Sequence, residues 1–488
     1  MQKTNSQKIL QWTTKDVVLN VLTYLSNAIV LVLLFYFTLY LDGLRDQLDL
    51  QAYFANATTF VYFVVSLVFI LAIMAFYFMF EDRDFLKNAV NSQMLFLIIE
   101  LTIIICYASG SYINIYLRPI ALAALLTLFV TGNRRKAVFM NIIFCLVIFL
   151  FDSFGTTEFS IGNYPVLVMG FSSGTIACFC MDKVYSRLKL LLMSVVISLP
   201  TVVCVVLSIM EQGGGNIVVA LICGACSGPL AVATFMILLP MFETLFKKVS
   251  CFKYSELTDH KAKLIKKLIT QAPGTFNHSI VVSNIAESCA TAIGEDSLLA
   301  RTCAYYHDIG KLRRPEFFKE NQADNVNPHD DLTPELSANI IKSHAQDGYK
   351  LIQKNRLPQE IADVCVEHHG TLPILYFYDK ARKFTDGDVD LAQYCYPGPK
   401  PKSKIAAIIM IADGCEAAAR SLQDRSRENV KTVVRKIVND RLALGQFDDC
   451  EITLKELNII IHTVVNNLTG IYHSRVEYPK VNLDGIDL

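Results

Sequence analysis

Up to residue 246 the chain is a succession of long apolar runs separated by short polar segments. After that point apolar residues recur every three or four positions among charged ones. Eight runs are long enough, or nearly so, to cross a bilayer, near 18–41, 58–80, 90–109, 112–131, 137–153, 163–181, 189–210 and 217–246. The first follows a lysine-bearing polar segment and lacks a small-residue cleavage signature, so it reads as a retained membrane helix. The last is overlong and holds Pro229 and Pro240, which predict a kink or an interfacial inner end. The helical period predicts an all-α chain in three parts. A polytopic membrane bundle of about eight helices covers 1–246, a connecting amphipathic helix 247–275, and an all-helical soluble domain 276–488.

The connecting stretch carries Leu257, Leu264, Ile265, Leu268 and Ile269 among lysines, and Ala272-Pro-Gly-Thr ends it. A helix with Ile280, Val281, Ile285, Cys289 and Ile293 on one face then runs to Gly294. Another follows over about 297–308, and a polar loop over 315–332 suits a pocket wall or lid. Thr333-Pro334 caps the helix that carries His344, and Leu357-Pro358 opens one that ends in Glu367-His368-His369-Gly370. The chain reads as irregular from 379 to 402. Ser403 then starts an apolar helix, Ile405 to Leu422, interrupted by Asp413. Thr453-Leu-Lys-Glu456 is a capping box before the last helix, and the tail after 473 reads as irregular.

Charge settles the orientation. Lys3, Lys8, Lys15, Arg83, Lys87, Arg134 to Lys136, Lys183, Arg187 and Lys189 lie on one side of the predicted spans. The opposite loops, around 42–57, 109–112, 154–162 and 211–216, contain only Arg45, which places both termini in the cytoplasm. Basic and acidic residues balance, 13 of each up to 246 and 32 of each beyond, so nothing marks a binder of nucleic-acid polymers. Fourteen cysteines at irregular spacing suit reduced, mostly packing thiols in a cytoplasmic domain. Within the membrane half Glu100 sits mid-span, and Arg118 in the next span is placed to reach toward it, either as a structural pair or as a sensing site. A transporter is disfavoured, because no pair of broken helices occupies matching halves. The lipid bilayer is thus one partner. A homodimer is compatible with the sequence, which leaves the oligomeric state open.

The soluble half concentrates metal-ligand chemistry. His307-Asp308-Ile-Gly310-Lys311 brings an imidazole, a carboxylate able to bridge two ions, a glycine suited to a sharp turn and a point charge suited to phosphate. Such a dipeptide alone is ordinarily a surface pair. His278, His344, His368, His369 and Asp413 add five more ligands, each at or near a helix end or interrupting an apolar helix. Seven histidine and carboxylate ligands exceed one tetrahedral zinc and suit two octahedral ions, manganese or iron, that share a carboxylate. Lys311 is the candidate for additional phosphate stabilisation.

The ordered set His278, His307-Asp308 and Asp413 resembles the HD phosphohydrolase superfamily, and His344 with His368-His369 resembles its two-metal phosphodiesterase branch. Ala272-Pro-Gly-Thr-Phe-Asn-His-Ser, Tyr305-Tyr-His-Asp-Ile-Gly-Lys, Glu367-His-His-Gly-Thr and Tyr396-Pro-Gly-Pro-Lys-Pro are similar to the seven-transmembrane HD proteins of the PgpH type. The resemblance covers about 250–480 and, more loosely, the membrane half. It implies a bacterial inner-membrane enzyme with a cytoplasmic HD domain that hydrolyses cyclic di-AMP to the linear dinucleotide pApA. It further implies one ion held by His278, His307, Asp308 and Asp413 and a second by Asp308, His344, His368 and His369. Asp308 would bridge the two, and the hydroxide shared between the ions would attack phosphorus. Two departures stand out: only about sixteen residues, 42–57, replace the family's large domain after its first helix, and Asn277 stands where the family often has another histidine. The HD-GYP branch, specific for cyclic di-GMP, carries Gly-Tyr-Pro after its paired histidines, whereas here Glu367-His-His-Gly precedes Thr371-Leu-Pro-Ile. A receptor that binds nucleotide without cleaving it is the other alternative, and the complete ligand set argues against it. The ligands do not specify the base; Tyr376 and Tyr378 are the candidates for stacking on it.

Overall fold

The structure, a computed structural model, describes residues 13–46, 57–154, 164–181, 184, 186–212, 216–322, 327–384 and 388–471. Lys3, Lys8, Lys183, the loops at 47–56, 155–163 and 213–215, and the tail after 473 lie outside the described residues. The described residues are helical almost throughout, and the chain divides at Ser250/Cys251 into two compact units.

The first unit holds α1 (Thr14–Asp46), α2 (Ala57–Glu81), α3 (Ala89–Tyr112), α4 (Leu122–Thr131), α5 (Arg134–Phe154), α6 (Tyr164–Cys180), α7 (Arg187–Gln212) and α8 (Ile217–Phe246). Six of these, α1, α2, α3, α5, α7 and α8, are long and apolar enough to cross a membrane. The other two apolar runs make shorter helices, α4 and α6. The run at 112–131 is therefore not one long helix. Pro119 has no N–H to give a helix, and Ile113–Ala121 passes through a single 3-10 turn before α4 begins. Every residue of Leu122–Val130 is buried, so α4 is an interior helix rather than a lipid-facing one. α8 runs as one helix through Pro229 and Pro240. Its Gly228 lies against α7, where a Cβ would strike the Ser194 carbonyl, and its N–H donates to Ser198 Oγ at 3.0 Å. None of the described cysteines is in a disulfide, Cys223 and Cys226 one turn apart on α8 included.

One membrane expectation is corrected. Arg118 does not reach Glu100; its Nη1 lies 2.5 Å from Asp152 Oδ2 on α5. Glu100 is buried with its Oε1 lacking a hydrogen-bond partner among the described residues. The irregular segment before α4 turns Arg118 toward α5, a placement that helical periodicity could not supply.

The second unit begins with α9 (Cys251–Leu257) and α10 (Lys263–Gln271), two helices where sequence predicted one. Asp259 breaks the run: its carboxylate accepts the Lys261 N–H at 2.8 Å and its carbonyl the Ala262 N–H at 2.8 Å. Leu257, Leu264, Ile265 and Leu268 are buried in the core of this unit, so the stretch is part of the domain and not a free connector. The core is formed around α11 (Pro273–Ile293), α12 (Ser297–Tyr306) and α16 (Lys404–Ser421), whose Ile405–Ala412 are all buried. α13 (Pro334–Lys354), α14 (Gln359–Glu367) and α15 (Leu375–Phe384) close one side, and α17 (Arg427–Ala443) and α18 (Leu454–Ile471) complete the unit. The expected caps form: Thr333 accepts the Leu336 N–H at 3.3 Å, Ser403 the Ala406 N–H at 3.1 Å, and Thr453 and Glu456 cap reciprocally at 3.2 and 2.8 Å.

Candidate metal centre

α11, the end of α12, α13, the end of α14 and α16 bring the seven predicted ligands together, five of them buried and His369 and Asp413 half-buried. α12 ends at Tyr306, and Asp308 starts a 3-10 turn over Ile309–Arg313, so two consecutive side chains serve one site. Gly310 serves differently from its expected use in a sharp turn: a Cβ there would overlap the His344 carbonyl and the Gly348 N–H. The missing side chain lets the turn lie directly on α13 and brings Asp308 to His344.

Asp308 is the centre of the arrangement. Its Oδ2 lies 3.3 Å from His307 Nε2 and 3.8 Å from His278 Nε2, while its Oδ1 lies 3.3 Å from His344 Nε2 and 3.7 Å from His368 Nε2. Asp413 Oδ1 sits 3.0 Å from His278 Nε2 and 3.9 Å from His307 Nε2, and its Oδ2 is 3.9 Å from His369 Nδ1. Two ligand groups result, His278, His307 and Asp308 on one side and Asp308, His344, His368 and His369 on the other.

These spacings fit bound ions. Bonds of about 2.1 Å put ligand atoms about 3.0 Å apart at right angles and about 4.2 Å apart across an octahedral ion. The observed 3.0 to 3.9 Å separations fall in that interval. Among the described residues, His307 Nε2 and Asp308 Oδ1 are buried without a hydrogen-bond partner, as atoms reserved for a metal would be. The imidazoles are also oriented for it. His307, His344 and His368 donate Nδ1–H to the carbonyls of Ala304, Ile341 and Val364 at 2.7, 2.6 and 3.1 Å, which leaves each Nε2 with a free lone pair. His278 Nδ1 is held by Glu416 Oε2 at 2.6 Å, and Glu416 in turn by Arg420 Nε at 3.0 Å.

Electrostatics agree. Burial disfavours the Asp308 carboxylate, but His307 and Lys311 beside it outweigh burial and hold the group well below the usual range. Burial, with His307 close by, brings His368 down to about 3, and burial with His368 and His344 close by holds His369 well below its ordinary value. Both stand neutral, as ligands must. His278 is the exception. Burial opposes its charge, but hydrogen bonds to Asp413 and Glu416 raise it to about 10.

Two expectations change. Lys311, expected to stabilise phosphate, has its ammonium engaged by two carboxylates. Nζ lies 2.7 Å from Asp308 Oδ2 and 2.8 Å from Glu320 Oε1, under the Phe318 ring, so it positions the central carboxylate. Tyr376 is exposed, and Tyr378 packs edge-on to Tyr394 in a small cluster of its own; among the described residues neither ring packs against His344, His368 or His369. Tyr396 takes the place expected of them: it stacks on His369 at 4.2 Å and meets His344 edge-on at 6.0 Å. Hydrogen bonds from Ile374 N to Tyr394 O and from Tyr396 N to Leu372 O bring its segment beside the histidine pair. Sequence reasoning singled out the Tyr396-Pro-Gly-Pro motif without assigning it this role. It missed Glu416, whose signal is the Asp413, Glu416, Arg420 spacing along one face of α16. The loop expected to wall the site does so through Phe318 and Glu320.

The fold and the site define a helical membrane protein carrying an HD-type hydrolase domain. The HD domain family matches residues 275–418, and the family described as 7TM receptor with intracellular HD hydrolase matches 57–250. The two matches lie end to end along the chain, and its similarity to PgpH proteins extends over both. It is 37% identical over 409 residues to the cyclic-di-AMP phosphodiesterase PgpH of Bacillus subtilis, covering 82% of this chain and 56% of that protein. With the PgpH of Listeria monocytogenes it shares 46% identity over 241 residues, 49% of this chain and 33% of the relative. The crystal structure of the Listeria HD domain in complex with cyclic-di-AMP is 46% identical and covers 44% of this chain and all of that one, at a TM-score of 0.43. The chain thus spans about half the length, or less, of these two relatives.

Proposed function

We propose that this protein is a membrane-bound phosphodiesterase that uses two divalent ions, manganese or iron, to open cyclic di-AMP to linear pApA. The observation that carries the reading is the Asp308 carboxylate, with one oxygen toward His307 and His278 and the other toward His344 and His368. His278, His307, Asp308 and Asp413 would hold one ion, and Asp308, His344, His368 and His369 the other. When bound, such a pair activates a water and neutralises charge building on phosphate oxygens. The chain's own residues hold the geometry: backbone carbonyls and Glu416 fix the imidazoles, and Lys311 with Glu320 fixes Asp308. The Tyr396 ring, stacked on His369, is the nearest aromatic surface for a base or ribose. Opening the ring breaks the bond from phosphorus to one ribose 3′ oxygen and leaves a 5′-phosphate.

Adenine is the preferred base because the Bacillus and Listeria relatives are cyclic-di-AMP phosphodiesterases. The metal-loaded protein should open cyclic di-AMP much faster than cyclic di-GMP in a side-by-side assay. Equal or faster turnover of the guanine compound would reject the substrate and leave the two-ion site standing. We also propose eight crossings of the bacterial cytoplasmic membrane with both termini inside. The 7TM family match over 57–250 spans the seven apolar helices α2 to α8, and α1 precedes it. Reporter fusions at 157 or 213 that prove cytoplasmic would reject this topology.

A further inference from the structure

The residues that follow the last membrane helix form a basic face that the catalytic reading does not use. Between Lys247 and Gln271 the chain has seven lysines, Lys247, Lys248, Lys253, Lys261, Lys263, Lys266 and Lys267, against two acids, Glu256 and Asp259. On α10 successive residues turn by about 100°. Leu264, Ile265 and Leu268 therefore share one face and are buried in the domain core, while Lys263, Lys266, Lys267 and Thr270 share the opposite face and are exposed. Lys261, just before the helix, is exposed as well. None of these four lysines makes an ion pair among the described residues, although elsewhere in this unit the exposed Lys383 and the half-buried Lys400 do.

We propose that this face docks on anionic lipid headgroups at the membrane surface where α8 ends. Three observations converge. The apolar side of α10 is already satisfied by the core, so the helix has no need to insert, and only its charge remains to be matched. The chain tethers it. Even with residues 247–250 and 258–262 counted as fully extended and the seven of α9 as helix, at most about 40 Å separates Phe246 from Lys263. On the same side of the predicted spans, 81–87 and 134–136 hold five basic residues against Glu81, Asp82 and Asp84, and Glu81 and Asp82 are already paired with Arg135 and Lys136, so these segments offer the four lysines little counter-charge. Anionic lipid does, at roughly 1 kcal/mol for each lysine near the surface, falling off within a Debye length of about 8 to 10 Å. Such docking would hold the domain at the bilayer through a contact that responds to lipid charge and salt.

The test is lysine footprinting of the full chain in nanodiscs made of phosphatidylcholine alone or of phosphatidylcholine with phosphatidylglycerol. A neutral acylating reagent is followed by mass spectrometry at each lysine. Lys261, Lys263, Lys266 and Lys267 are expected to react about fivefold more slowly in the anionic discs, with recovery in high salt. The exposed Lys436 and Lys455, on α17 and α18, should react alike in both. Equal reactivity of the four lysines in both lipids would overturn the proposal. So would equal protection in both, which would mean that another part of the protein covers the face. Protection by soluble glycerophosphate in detergent would also overturn it, by identifying a free-anion site instead.

Discussion

Glu416→Gln should weaken one ion and spare the other. Glu416 is 1% exposed, with Oε2 at 2.6 Å from His278 Nδ1 and Oε1 at 3.0 Å from Arg420 Nε. Both neighbours are donors. Glutamine has one acceptor oxygen and one NH2, so it must face a donor with a donor and leave one of them unsatisfied. A buried unsatisfied donor costs about 1–3 kcal/mol, and a charge-assisted bond is also lost. At about 1.4 kcal/mol per factor of ten this predicts a roughly 10- to 100-fold weaker ion at His278, the range found when partners of metal-ligating histidines are removed. The assay is titration of metal into stripped protein, with activity followed in parallel. One class of site should weaken, and excess metal should restore most of the activity, which a general loss of structure would not allow. Equal weakening of both classes, or an unchanged titration, would refute the reasoning.

Asp308→Ala should abolish binding of both ions, because each group of histidines faces one of its oxygens; elemental analysis retaining one stoichiometric ion would contradict the shared assignment. Tyr396→Phe should leave activity within about threefold, whereas Tyr396→Ala should lose about tenfold, given roughly 0.5–1.5 kcal/mol for ring stacking in addition to lost burial. Metal binding should release a proton. His278 is raised to about 10 in the metal-free site, so at pH 7.5 it carries a charge that an ion at Nε2 must displace. Affinity should therefore rise with pH up to about 10, and calorimetry in buffers of different ionisation enthalpy should report close to one proton released. No buffer dependence would count against this.

The clustered residues were legible because each breaks a local pattern: a histidine–aspartate pair closing a helix, paired histidines at a helix end, and Asp413 within an apolar run. Their supports were not, since they depend on which helix lies opposite. Glu416 looks like any helical acid until α11 brings His278 against it. Lys311 looks available for phosphate until the loop carrying Glu320 folds over it. Gly310 looked like a turn residue, but the need for it arises from α13, about thirty residues away. Tyr396 reaches His369 through backbone pairing across a stretch that reads as irregular. In the membrane unit, the apolar runs located the helices. Hydropathy alone does not register that Pro119 shortens α4, or that Arg118 faces Asp152 rather than Glu100.

Anomalous diffraction from the manganese- or iron-loaded protein tests the central claim most directly. Two peaks should flank the Asp308 carboxylate. One is expected among His278, His307 and Asp413, and the other among His344, His368 and His369. A single peak, or two that leave either Asp308 oxygen without a metal, would contradict the account.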